Sequence, residues 1–225
     1  MKIVLTREVG FSQLPGYSYP DNAVVTQVPL TSTKYREIDE VQRDVRSLAN
    51  YGSFRALVIT SGRSVRYVPV ARAALVIDAG VFSVGPETTR RLVNEGVVVS
   101  GEADTTALDL LEQIPEGPVL MIGASVMREE LRHALEARGV EVARVACYET
   151  LPVEPSAEEI ELLRSADVVV IGAPSAWSVA RDHVSAGAWV VVPGATTAEV
   201  VRRDHERILT RRGQSLRELL ASLDP

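Results

Sequence analysis

The sequence predicts an α/β protein with two parallel-sheet units, and three observations support this. Short runs of apolar, β-branched residues recur along the chain, stretches with helical periodicity lie between them, and one strand–turn–helix pattern occurs twice. Short continuous apolar runs suit parallel strands buried on both faces, where no solvent-facing alternation is needed. Strands that alternate with helices imply doubly wound sheets.

The duplicated pattern is the most specific of the three. Residues 56–65 read ALVITSGRSV and residues 82–96 read FSVGPETTRRLVNEG. Later in the chain, residues 167–176 read DVVVIGAPSA and residues 190–203 read VVVPGATTAEVVRR. Each half is an apolar run with its own turn, then a second apolar run, a Gly-x-x-Thr turn and a helical pattern. Two related units are expected, with their turns lining a ligand cleft between them.

In chain order, the expected strands are KIVLT, AVVTQVPL, ALVIT, AGVFSV, GVVVS, PVLMIG, VEVARVACY, DVVVIG, AWVVVPG and RILT. Helices are expected between several of them. Residues 35–49 carry Ile38, Val41, Val45 and Leu48 at helical spacing. A helix near 105–113 has Asp104, Thr105 or Thr106 as its cap. Residues 126–138 place Met127, Leu131, Ala134 and Leu135 on one stripe, and Gly139 stops the helix. SAEEIELLRS opens with a serine and a glutamate three positions later, the capping-box pattern. After the first strand, EVGFSQLPGYSYPDN has no helical stripe, so a helix there is expected to be short or lost.

Ten strands exceed what one compact sheet of this length usually holds. The repeat from residue 53 supplies five strands, and the repeat from 166 supplies three. The missing pair comes from the N-terminus. The expected division is therefore a discontinuous α/β domain, residues 1–32 plus 149–225, and a continuous one, residues 33–148. Crossings near Thr31 and Tyr148 would form the hinge, as extended segments.

Composition narrows the function. A formal charge of −6 argues against a general nucleic-acid binder. No apolar run approaches the ~18 residues of a membrane span, and MKIVLTREVG reads as a strand and not as a signal peptide. A cytoplasmic protein is expected. Cys147 is the only cysteine, so no internal disulfide forms, and its apolar run reads as a buried strand thiol. His133, His183 and His205 show no metal-ligand spacing and read as solvated helix faces. Trp177 and Trp189 read as core or hinge packing. No phosphate loop or dinucleotide fingerprint occurs.

In open parallel sheets, ligands bind outside the carboxyl ends of the strands. The turns expected there are 6–10, 60–64, 85–89, 123–127, 172–176 and 194–198. They hold Thr60, Ser61, Gly62 and Ser64; Gly85, Thr88 and Thr89; Gly123 and Ser125; Ser175; and Gly194, Thr196 and Thr197. Glycine admits close backbone approach, hydroxyls donate, and helix N-termini favour anions. In any single turn the threonines read first as helix caps, and their repetition at matching positions in two units points to a shared ligand cleft. With no metal, nucleophile or general base in view, the chemistry would rest on geometry and electrostatics.

At these residues the chain resembles the uroporphyrinogen-III synthase family. The matching features are the opening strand ending in Thr6-Arg7, VITSGRSV, SVGPETTRRLVNEG, LMIGASVMREELRHALEARGVEV, VACYET, DVVVIGAPSAW and VVPGATTAEV. The resemblance implies two flavodoxin-like domains joined by a two-stranded linker, a wide cleft between them and no cofactor or metal. It implies a lyase of tetrapyrrole biosynthesis that cyclises the linear tetrapyrrole hydroxymethylbilane with inversion of the last pyrrole ring and loss of water. Tyr148, in CYET, matches the family's tyrosine and would assist departure of the terminal hydroxyl. The substrate carries eight carboxylates, which Arg7, Arg63 and Arg128 would attract. Thr60, Ser61, Gly62, Gly85, Thr88, Gly123, Ser175, Gly194 and Thr197 would complete the binding turns. A monomer suffices for this.

The chain departs from the family pattern in two turns. Gly172-Ala173-Pro174 stands where Thr-Ser-Pro is usual, and Ile122-Gly123 where Arg-Gly is usual. The lost hydroxyls support an alternative: a non-catalytic tetrapyrrole-binding or regulatory protein of the same fold. A periplasmic-type solute binder would need a signal peptide. One-lobed flavin binding would leave the repeat unexplained.

Overall fold

The computed structural model describes residues 1–8, 18–103, 106–211 and 215–221. The chain divides into two compact units, Met1–Thr33 with Leu151–Pro225, and Lys34–Thr150. Most of the stretch after the first strand, residues 9–17, falls outside the described residues, and so do Asp104 and Thr105.

The first unit contains β1 (Lys2–Leu5), β2 (Val24–Gln27), β9 (Val168–Val170), β10 (Trp189–Val192) and β11 (Ile208–Thr210). They form one sheet in the order β11-β10-β9-β1-β2 with every pair parallel. Helices α5 (Ala157–Arg164), α6 (Pro174–Ala180), α7 (Ala195–Val201) and α8 (Leu216–Ala221) belong to the same unit. Both sheet faces are buried, as the apolar runs require. Val4, Val169, Val190 and Val192 enter one core cluster with Trp177, while Ile3, Leu5, Val168, Val170 and Val191 enter another with Leu216.

The other sheet contains β3 (Thr31–Tyr35), β4 (Phe54–Ile59), β5 (Leu75–Val84), β6 (Gly101–Ala103), β7 (Val119–Ala124) and β8 (Val142–Pro152). Its order is β3-β8-β7-β4-β5-β6. The pairs β4–β5, β4–β7, β5–β6 and β7–β8 are parallel. Beside β3 and β8, Arg36 N donates to Cys147 O and Val153 N donates to Leu30 O. These partners number in opposite directions, so this edge is antiparallel. Helices α1 (Ile38–Ser47), α2 (Val68–Arg72), α3 (Pro86–Asn94) and α4 (Glu130–Ala137) complete the second unit. Alternation along β4 sends Leu57 and Ile59 to one core cluster and Ala56 and Val58 to the other.

The strand orders carry the duplication. Beginning from β4, the second unit reads β6-β5-β4-β7-β8. Beginning from β9, the first unit reads β11-β10-β9-β1-β2. Numbered within each repeat, both orders are 3-2-1-4-5, with the chain ends falling at different places in the cycle. The N-terminal pair β1–β2 takes the position that β7–β8 takes in the continuous repeat.

Local rules explain where the elements stop. Gly96 and Gly139 have positive φ, +73° and +78°, and end α3 and α4. After α3, Gly96 N donates to Val93 O and Val97 N donates to Leu92 O; after α4, Gly139 N donates to Glu136 O and Val140 N donates to Leu135 O. Both are Schellman caps. Ser156 N donates to Glu159 Oε2 at 2.8 Å and Glu159 N donates to Ser156 Oγ at 3.3 Å, the expected capping box. Thr106 precedes a 3-10 turn, Ala107–Leu110, which replaces the expected helix near 105–113. GVVVS is not a strand: Val97 is consumed by the α3 cap, and the pairing with β5 begins at Gly101. AVVTQVPL supplies a strand only over Val24–Gln27, although Val28 N still donates to Leu5 O and Leu30 N to Thr6 O.

Candidate functional site

In both sheets the first repeat strand, β4 or β9, separates the two directions of winding. The carboxyl end of that strand is the topological switch point where ligands bind in open α/β sheets.

In the second unit the switch point lies between the ends of β4 and β7. Thr60 donates both its N–H and its Oγ1 to Ile122 O, each at 3.2 Å. A Cβ on Gly123 would lie 2.1 Å from Thr60 Oγ1 and 2.7 Å from Met127 Sδ, so glycine makes room there. Ser61 Oγ accepts from Arg63 N at 3.3 Å and caps the 3-10 turn Gly62–Tyr67. Gly62 is roofed by Arg91, whose Cδ would stand 2.7 Å from an added Cβ. Arg91 Nε donates to Glu87 Oε1 at 2.8 Å within α3, so α3 reaches the turn after β4 through Arg91.

Tyr148 is buried at 5% exposure near the middle of β8. The β7–β8 register pairs Gly123 with Ala146 and Ala124 with Tyr148. Cys147 is the extra residue of this bulge, which re-aims the side chain that follows it. The Tyr148 ring lies 6.2 Å from the Tyr35 ring, and the Arg63 guanidinium carbon lies 5.9 Å from the Tyr148 centroid. Arg66 stands over Tyr35 at 5.0 Å and over Tyr67 at 5.5 Å. Three tyrosines and two arginines thus form one patch, within cation–π range. Tyr67 donates to Arg36 O at 2.6 Å, and burial raises its pKa. Burial also pushes the Cys147 thiol up to about 12, so it is a protonated core thiol.

Gly85 precedes α3 with φ +83° and ψ 152°, a conformation that side chains other than glycine rarely adopt. Thr88 is buried and its hydroxyl donates to Val84 O at 3.0 Å. That hydroxyl makes a backbone-turn contact.

In the first unit the switch point lies between β9 and β1. Thr6 donates its N–H (3.1 Å) and its Oγ1 (2.9 Å) to Val170 O. Arg7 O accepts from Gln27 Nε2 at 2.8 Å. The Arg7 side chain crosses Gly172, where an added Cβ would lie 2.7 Å from Cγ and 2.9 Å from Nε. Ala173 occupies the N-cap of α6 with φ −159° and ψ 160°, near the −161° and 143° of Ser61, but has no hydroxyl to accept. Gly194 is extended, with φ −170° and open space around a Cβ, so this turn does not demand glycine. Thr197 is buried in α7.

The structure therefore joins Thr60 with Gly123 and Arg63 with Tyr148. Arg128 is exposed between β7 and α4, and Ser175 is half-buried at the start of α6. Among the described residues, neither side chain makes a hydrogen bond or ion pair to another candidate. Sequence reasoning missed Tyr35, Arg66, Arg91 and Gly172. For Arg91 a signal existed: it follows Glu87 by four residues on α3, directly behind the Gly85 turn.

The histidine expectation fails for His205. It is buried at 8% exposure, with Nε2 2.9 Å from Ala188 O and its ring 5.7 Å from Trp177. Trp177 is core, and its Nε1 donates to Asp204 at 3.2 Å. Among the described residues, no cluster of His, Cys, Asp or Glu could hold a metal ion, and no helix is long and apolar enough to cross a membrane.

Comparison with solved structures places this fold beside two bacterial enzymes. The uroporphyrinogen-III synthetase of Helicobacter pylori aligns with a TM-score of 0.67 and 16% identity, covering 99% of each chain. A mutant uroporphyrinogen III synthase of Thermus thermophilus aligns with a TM-score of 0.65 and 17% identity, covering 99% of this chain and 96% of that one. A search of curated protein sequences finds no significant match. The family model described as uroporphyrinogen-III synthase HemD matches residues 21–218. That match takes in every strand except β1, well over half of the chain, and the chain belongs to the uroporphyrinogen-III synthase family.

Proposed function

We propose that the chain cyclises hydroxymethylbilane to uroporphyrinogen III with inversion of ring D and loss of water. The observation that carries this reading is the Arg63–Tyr148 pair beside the β4 switch point, in a chain of this family. In the proposed reaction the terminal hydroxymethyl C–O bond breaks, and the oxygen leaves as water with a proton. Tyr148 hydrogen-bonds the departing oxygen. The azafulvene-type cation left behind is attacked by the substituted carbon of ring D. In the resulting spiro intermediate the bond between that carbon and the methylene joined to ring C breaks, and the methylene carbon then bonds to the free carbon of ring D, which releases a proton. One C–O bond is exchanged for a C–C bond, so no electron carrier enters the balance.

The substrate's eight carboxylates set the binding problem. A protein of net charge −6 attracts such a ligand only through local cations. Arg63 and Arg7 supply them at the two switch points, and Arg128 adds a third. Thr60, Ser61, Gly62, Gly85, Gly123, Ser175, Gly194 and Thr197 shape the surrounding turns, and Thr88 holds its own turn closed. The test supplies hydroxymethylbilane and separates the oxidised product isomers by chromatography. Isomer III supports the reading. Isomer I alone, the product of uncatalysed closure, overturns it.

A further inference from the structure

The two switch points are filled in opposite senses. In the second unit a side chain just past the first repeat strand, Thr60, lies over a glycine near the end of the fourth, Gly123. In the first unit the glycine follows the first repeat strand, at Gly172, and the side chain lying over it comes from the fourth, at Arg7. A neutral hydroxyl occupies one crevice and a guanidinium occupies the other. We propose that Arg7, seated on Gly172, is the carboxylate receptor of the first unit, and that Gly172 is the positioning residue that admits it. The carboxylate is one of those on the substrate's side chains, so the inference rests on the function proposed above.

The seat is built from both sides. Thr6 is fixed to β9 through two hydrogen bonds to Val170 O, and the Arg7 carbonyl is held by Gln27 at the end of β2. The arginine backbone therefore has little freedom, and the direction of its side chain is set by the space at Gly172. A methyl group at 172 would overlap both Cγ and Nε and expel the guanidinium. The neighbouring carboxylate does not neutralise the site. Glu8 accepts from Thr33 N at 3.2 Å and from Thr33 Oγ1 at 2.6 Å. Among the described residues, no carboxylate forms an ion pair with Arg7. Arg91, the comparable cation over Gly62, is bonded to Glu87 and is partly neutralised. A half-buried guanidinium without an acidic partner among the described residues matches a carboxylate in charge and in planar donor geometry.

A double-mutant cycle on the whole chain tests this. Arg7→Ala should raise KM for hydroxymethylbilane about tenfold with a smaller change in kcat, the loss expected for one charge-assisted contact. Gly172→Thr should do the same, because it removes the seat and not the charge. The Arg7→Ala/Gly172→Thr double variant has no clash and should be no worse than either single variant. Wild-type KM in Arg7→Ala overturns the receptor. A further tenfold loss in the double variant overturns the positioning role of Gly172. Binding of uroporphyrin, an octacarboxylate followed by its own fluorescence, separates this inference from the proposed reaction. If wild type yields only isomer I, the synthase reading falls, and the receptor still stands or falls on whether Arg7→Ala weakens uroporphyrin binding about tenfold.

Discussion

The guanidinium carbon of Arg63 lies 5.9 Å from the centre of the Tyr148 ring. The two residues reach this position by different routes, one through the turn capped by Ser61 and the other through the bulge at Cys147. Tyr148→Phe removes only the hydroxyl and keeps the ring against Tyr35 and Arg63. Turnover should fall tenfold or more, in the range typical of lost proton-transfer groups, with an unchanged melting temperature. Steady-state kinetics beside a thermal melt decides it, and unaltered kcat removes Tyr148 from the reaction.

The two Gly-x-x-Thr turns should respond differently to the same substitution. Gly85→Ala forces a side chain into a glycine-only backbone region and should cost about 1–3 kcal/mol. Gly194→Ala meets extended backbone and open space, so its effect should stay within about 0.5 kcal/mol. Urea unfolding of the two variants measures the contrast, and equal losses would refute it.

Ala173 sits in cap geometry without a cap. Ala173→Ser should let a hydroxyl accept from the first turn of α6 and add about 0.5–1 kcal/mol of stability. For a chain of this size that is a rise of roughly 1–4 °C in Tm. A melt that does not move would show that α6 draws nothing from its first turn.

Cys147 should resist alkylation in the native state at pH 8 and react once the chain is unfolded. Its thiol is held protonated by burial, with a pKa raised from 9.0 to about 12. A raised folded pKa contributes stability that is complete below the unfolded value and is lost as pH climbs from about 9 toward 12. Cys147→Ala should flatten that part of the stability–pH curve, as denaturant midpoints across the range would reveal. Rapid native labelling would contradict the burial.

The fold class was legible because both sheets obey one rule. Strands such as DVVVIG and ALVIT are buried on both faces, and few other elements carry such runs. GVVVS carries the same composition but is spent on the end of α3, a role that only the neighbouring Gly96 hints at. The polar strand TSTKY has no apolar signature, so pairing with β8 alone reveals it. The candidate site was legible as a set of turns and not as a set of contacts. Arg7 and Gly172 are 165 positions apart, and nothing in either letter marks the other. Gly85 and Gly194 occupy matching motif positions, yet only Gly85 needs to be glycine. Tyr148 stands out in the sequence only through its motif, and the bulge that aims it depends on register between two strands.

The cyclic shift between the two strand orders has a consequence for synthesis. The continuous repeat can close all its parallel pairs once residue 150 has emerged from the ribosome. The other repeat begins earlier and finishes later. Its β1 gains β2 early, but the edge that will receive β9 stays open while more than a hundred residues are added. An open apolar edge is an aggregation hazard during that interval. Nascent chains cut short after the continuous repeat are thus the ones a chaperone would be most needed to shield, and what they expose is the waiting edge of β1.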